Sequence, residues 1–156
     1  MEYNTRLWEP DVLLKAYGQL LTDESVDSLP LVISGNSMSP FLIHGRDTVY
    51  LSRVKAPIKR GHMLLYRRDS GQYVLHRVYK VKGDSLTMIG DAQTAREPGI
   101  RQDQVMAIVT SVVRKGKKQA PGSFWWEFFE KVWIRMVPLR TMMRSIYTAF
   151  GKLRKG

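Results

Sequence analysis

The chain has no cysteine among its 156 residues. That excludes a disulfide framework, a thiol nucleophile and cysteine-ligated zinc. Histidine is scarce too. His44, His62 and His76 stand without HExxH or other ligand spacing, so neither a metal nor any other cofactor is expected. No apolar run approaches the roughly 18–20 residues that span a bilayer. The first 30 residues lack a basic start with a long apolar stretch and carry Glu2, Glu9, Asp11 and Asp23, so no secretory signal is expected. Acidic residues are few, 14 Asp+Glu against 25 Lys+Arg, for a formal net charge of +11. The deficit is local. Residues 1–113 hold 14 Lys+Arg and 12 Asp+Glu, whereas residues 114–156 hold 11 and 2. A nearly neutral body thus precedes a strongly basic tail, the pattern of chains that meet anionic surfaces.

The length fits one domain with added elements, and a 44% hydrophobic fraction supplies an ordinary core. In residues 10–22, Val12, Leu13, Ala16, Tyr17, Leu20 and Leu21 recur at helical spacing behind Pro10, predicting a helix within an N-terminal segment, residues 1–30. Residues 31–113 change character. Short β-type runs at Leu31–Ser34, Thr48–Leu51, Met63–Arg67, Tyr73–Lys82, Ser85–Ile89 and Val105–Val113 alternate with turns such as Asp69-Ser70-Gly71 and Lys82-Gly83-Asp84. This predicts a mainly β domain. Residues 114–122 read as a basic linker. Residues 123–156 read as an amphipathic helical tail, with Trp125, Phe128, Phe129, Val132, Trp133 and Met136 on one face. Leu139, Met142, Met143, Ile146, Tyr147 and Phe150 continue that face after a division at Pro138.

Two strings carry candidate chemistry. Gly35-Asn36-Ser37-Met38-Ser39-Pro40 follows an apolar run and puts a serine on a tight turn. Val74-Leu75-His76-Arg77-Val78 puts a histidine on a strand, 39 residues after Ser37. A serine nucleophile and a histidine base are the minimum for acyl transfer from a peptide bond. Taken singly, each has a plainer role, Ser37 as a turn residue and His76 as a half-buried strand residue.

Together with Gly90-Asp91, these strings resemble the type I signal peptidase superfamily, which includes the self-cleaving repressor peptidases, over residues 31–113. Where most bacterial members have a lysine base, this chain has His76. It therefore resembles the histidine branch, typified by endoplasmic-reticulum and archaeal signal peptidases. The resemblance implies a compact β-barrel-like catalytic domain and a serine endopeptidase acting on a leader or signal peptide. Ser37 would be the nucleophile and His76 the general base, with a carboxylate fixing the imidazole. Asp91 matches the Gly-Asp-Asn-type motif, and Asp103 is a second candidate. The peptide or pre-protein substrate would lie extended along a strand edge.

Several positions depart from the family pattern. Gly35 stands where many signal peptidases have a serine that helps hold the oxyanion, so the oxyanion would rely on the Ser37 amide with Asn36 or a neighbouring amide. Gly45-Arg46-Asp47 carries one residue inserted into a Gly-Asp pair, and the acidic cluster after Gly90-Asp91 thins to Glu97 and Asp103. The family's N-terminal membrane span has the 10–22 helix in its place.

The tail, residues 123–153, combines aromatics on one face with cations, which suits peripheral attachment to an anionic membrane from the cytoplasmic side. The alternative is docking on the β domain or on a second subunit. Helical periodicity of the aromatics argues against nucleic-acid stacking. Two rival functions remain at this stage: a non-catalytic or self-cleaving regulatory module of the same fold, and a membrane-surface adaptor.

Overall fold

The computed structural model describes residues 10–153; residues 1–9 and 154–156 lie outside it. The side chains of Met143, Tyr147 and Phe150, expected on the tail's apolar face, also lie outside the described residues. The chain runs α1 (Pro10–Leu20), β1 (Leu29–Val32), β2 (Thr48–Ser52), β3 (Met63–Arg67), β4 (Tyr73–Lys82), β5 (Ser85–Ile89), β6 (Glu97–Arg101), β7 (Val105–Arg114), β8 (Lys117–Gln119), α2 (Phe124–Glu127) and α3 (Val137–Leu153). A π-helical turn, Phe128–Val132, and a 3-10 turn, Trp133–Met136, join α2 to α3.

The expectation of a mainly β protein with a helix at each end holds. The barrel does not. The eight strands form one antiparallel sheet in the order β1-β2-β7-β3-β4-β5-β6, with β8 also on β7, and β1 and β6 remain as two unjoined edges. Residues 114–122 are not merely a linker. Lys115 and Gly116 both have positive φ, 49° and 75°, and close a two-residue hairpin between the paired residues Arg114 and Lys117. Consecutive positive φ values match the right-handed twist of antiparallel strands. Strand β6 escapes a periodicity reading because Pro98 and Gly99 break its alternation.

Central strand β3 is covered on both faces. Met63 and Leu65 join a core with Ile33, Met38, Phe41, Leu42, Val49, Leu51, Val109, Trp126 and Phe129. Leu64 and Tyr66, one residue out of phase, join Ile58, Val78, Leu86, Met88 and Ile100 on the other face. The first core explains why no barrel is needed. The start of the tail covers that face, with Phe129 4.7 Å and Trp126 6.4 Å, centroid to centroid, from the ring of Phe41.

This docking also shifts the tail's apolar face. Trp126, Phe129, Ile134 and Val137 are buried, whereas Trp125 and Val132, expected on one apolar face with Phe129, are exposed. The π and 3-10 turns change the number of residues per turn, so a constant 3.6 period runs out of phase after Phe128. Pro138 sits in the first turn of α3, where its missing N–H costs nothing, and the division expected there falls at Met136–Val137.

Replacing Phe129 with Ala should lower stability by about 3–5 kcal/mol, while Phe124→Ala, at a residue 72% exposed, should stay within about 0.5 kcal/mol. Equal losses in chemical denaturation would show that the tail is not part of the core.

Candidate active site

The Ser37 turn is held from three sides. Met38, Phe41 and Leu42 are buried in the first core. The Ser39 amide donates to the Asn36 carbonyl (3.1 Å) and the Leu42 amide to the Met38 carbonyl (2.9 Å). Gly35, at φ +84°, donates its amide to His44 Nδ1 (2.8 Å). That backbone conformation suits glycine, which explains the residue found where a serine was looked for. Ser37 is half-buried, and neither its amide nor the Asn36 side chain has a partner among the described residues. Asn36 is exposed.

Ser37 and His76 line the same cavity of about 290 Å³, with Ile33, Gly35, Met38 and Gln93. No hydrogen bond joins the two side chains in this structure. His76 is only 4% exposed. It pairs with Leu64 across β3–β4 and so shares a face with Tyr66. Tyr66 donates its hydroxyl proton to Glu97 Oε1 (2.8 Å) and lies 3.3 Å from His76 Nδ1. A phenol has one proton to give, so the Tyr66 oxygen accepts from Nδ1–H. That fixes the tautomer in which Nε2 is bare, the form a general base needs. Arg68 holds Glu97 in turn, at 2.7 Å.

Asp91 and Asp103 do not occupy this position. Asp91, 0% exposed, is bound at both oxygens by Arg77, Nε–Oδ1 at 2.8 Å and Nη2–Oδ2 at 2.9 Å. Neither oxygen bonds His76 among the described residues, and Asp91 acts on it through charge. Asp103 lies on the exposed 3-10 turn before β7 and pairs with Arg101 at 3.2 Å. The carboxylate joined to the histidine by hydrogen bonds is Glu97, through Tyr66. Sequence reasoning reached Glu97 only as a remnant of an acidic cluster and missed Tyr66 and Arg68. The signal was parity: Leu64, Tyr66 and Arg68 alternate onto the face that carries His76.

The electrostatics follow from burial. Loss of water pushes the His76 pKa down to about 4, and the Arg68 charge adds to this, against Glu97 and Asp91. Burial also drives the Tyr66 pKa up, and its bond to Glu97 keeps it a phenol. For Glu97, desolvation acts upward but the Arg68 and Tyr66 hydrogen bonds outweigh it and hold the carboxyl below its ordinary value, hence ionised near neutrality. Among the described residues, no three His, Asp or Glu side chains are set to hold a metal ion. Neither a protein-family model nor a curated protein matches the chain.

Because the native pKa of His76 lies below the ordinary 6.5, the unfolded chain takes up the proton first on acidification. Stability from this group is complete above about pH 6.5 and falls towards pH 4 by about 3 kcal/mol. His62, also pushed down by burial, acts in the same sense. Wild type should therefore lose more stability between pH 7 and 4.5 than His76→Gln. Parallel curves in denaturant titrations at each pH would mean that the ring is not held neutral.

Proposed function

We propose that the protein is a serine endopeptidase of the signal-peptidase type, cleaving a leader or signal sequence from a peptide or small protein. The observation that carries this reading is the shared cavity of Ser37 and His76, with His76 held in its basic tautomer by Tyr66 and Glu97. Two unpaired strand edges supply a berth for substrate. Strand β4 bonds β5 only from Arg77 onward, leaving one edge of Tyr73–His76 open, and β1 ends the sheet. An extended peptide beside them can pair its backbone while its side chains enter the cavity.

In the reaction, Ser37 Oγ attacks the scissile carbonyl and its proton passes to His76 Nε2. The imidazolium so formed is stabilised through Nδ1–H by the Tyr66 oxygen, itself polarised by Glu97. The Ser37 amide, which has no partner among the described residues, donates to the developing oxyanion. His76 then gives its proton to the departing amine, leaving an acyl-serine. Water, deprotonated by the same nitrogen, releases the acid and restores Ser37. With a pKa of about 4, the base stays unprotonated well into acid, so the acid limb of the rate should fall near pH 4 rather than 6.5.

A fluorophosphonate probe tests this directly. Mass spectrometry should find the adduct on Ser37, absent in Ser37→Ala and His76→Ala. Tyr66→Phe should slow labelling roughly 10- to 100-fold, part of what a positioned base contributes. Labelling of Ser37→Ala at the wild-type rate would overturn the assignment.

A peripheral membrane role for the tail is supported by what docking leaves uncovered. Leu139, Met142 and Ile146, at i, i+3 and i+7 on α3, are 44%, 54% and 48% exposed. No described helix is long and apolar enough to cross a membrane. A strip of this kind in a region of 11 Lys+Arg and 2 Asp+Glu fits the plane of an anionic bilayer. Sedimentation with phosphatidylglycerol-rich vesicles should carry wild type down, and the double variant Met142→Glu, Ile146→Glu should stay in solution. Equal sedimentation of the two would remove this reading.

A further inference from the structure

We propose that the C-terminal helical segment positions the nucleophile turn, with Trp133 and Arg140 as the positioning residues. The inference rests on the hydrolytic reading for its consequence, though not for its geometry. The link between tail and turn is the loop Gly90–Gln93. On one side it presses on the turn: the Ala92 amide donates to the Ser37 carbonyl (2.9 Å). A Cβ at residue 90 would lie 2.5 Å from that same oxygen and 2.9 Å from Gln93 Oε1, so only glycine allows the approach.

On the other side the tail takes up the loop's carbonyls one by one. Trp133 Nε1 donates to the Asp91 carbonyl (2.8 Å). Arg140 Nη1 donates to the carbonyls of Gly90 (3.2 Å) and Gln93 (3.1 Å), and its Nη2 donates to the Trp133 carbonyl (2.8 Å). The guanidinium also lies 5.0 Å from the centroid of the Trp133 ring.

Arg140 is an expensive residue to place there. It is 3% exposed, its Nε has no partner, and it forms no ion pair among the described residues. Burial pushes its pKa down, with the nearby Asp91 charge opposing. An apolar side chain would fill the space without desolvating a charge. What it would not do is bond the carbonyls of Gly90, Gln93 and Trp133 at once. The loop is thereby held between the tail and the Ser37 carbonyl, so the tail fixes the donor that bonds the turn.

The test uses the full chain and the variants Trp133→Phe, which keeps the ring and loses the N–H, and Arg140→Lys, which keeps the charge and loses the fork. Ile100→Val, a methyl deletion in the opposite core, controls for general loss of stability. Two quantities are read: exchange of the Ala92 amide under native conditions, and the rate of fluorophosphonate labelling at Ser37. Both tail variants should speed Ala92 exchange about tenfold and slow labelling about tenfold, as loss of one aligned hydrogen bond predicts, with Ile100→Val near wild type in both. Tail variants that match Ile100→Val in Ala92 exchange and labelling would overturn the proposal. If wild-type Ser37 does not label at all, the hydrolytic reading fails, and Ala92 exchange alone then decides whether the tail holds the turn.

Discussion

Arg77 and Asp91 share a two-point ion pair with side chains only 2% and 0% exposed, and four parts of the molecule meet on it. Arg77 belongs to β4, one residue after His76. Asp91 fixes the loop that abuts Ser37. The third Arg77 nitrogen, Nη1, donates to the Gly61 carbonyl (2.9 Å), which leads into β3, and the guanidinium lies over the ring of Phe41, 5.4 Å from its centroid. Burying such a pair is costly, and removing one partner costs about 3–5 kcal/mol because the other charge is stranded. What the pair secures is register: strand β4, the serine turn and the Gly90 loop have one arrangement in which both charges are satisfied.

That use of Asp91 explains where the sequence could and could not be read. Strands β3, β4 and β5 were legible to the residue because their apolar periods are bounded by Gly, Asp and Ser turns. The serine turn was legible too, since Met38, Pro40 and Phe41 frame it. A motif match then drew Asp91 towards the histidine, but a motif carries no information about competition. The adjacent Arg77 is a stronger partner for a buried carboxylate than a neutral imidazole is. The hydrogen-bonded chain from His76, Tyr66 and Glu97, is dispersed over β3 and the edge strand β6. Only the sheet register, Leu64 opposite His76 and Glu97 opposite Met88, brings it together.

The tail shows the opposite failure. Its composition suggested one uniform amphipathic surface, while the structure divides the work. Of the aromatic first half, Trp126 and Phe129 are spent inside, on Phe41, and the described outward apolar residues of α3 begin at Leu139. A period count assumes one helix type. Here the change to π and then 3-10 winding puts Val132 outward and Ile134 inward, and nothing in residue type alone announces that change.

An open sheet carries a hazard that a barrel does not, because each free edge is a template for another copy of the chain. Strand β1 carries Pro30 and β6 carries Pro98, each removing a donor from its strand, and β6 adds the charges of Glu97 and Arg101. The open stretch Tyr73–His76 has no proline, but it is recessed in a cavity opposite Ser37. Proline thus removes one donor from each rim strand without closing it, while Tyr73–His76 keeps every backbone donor. Where a donor is kept and where one is removed therefore sets which edges of the sheet another strand can join.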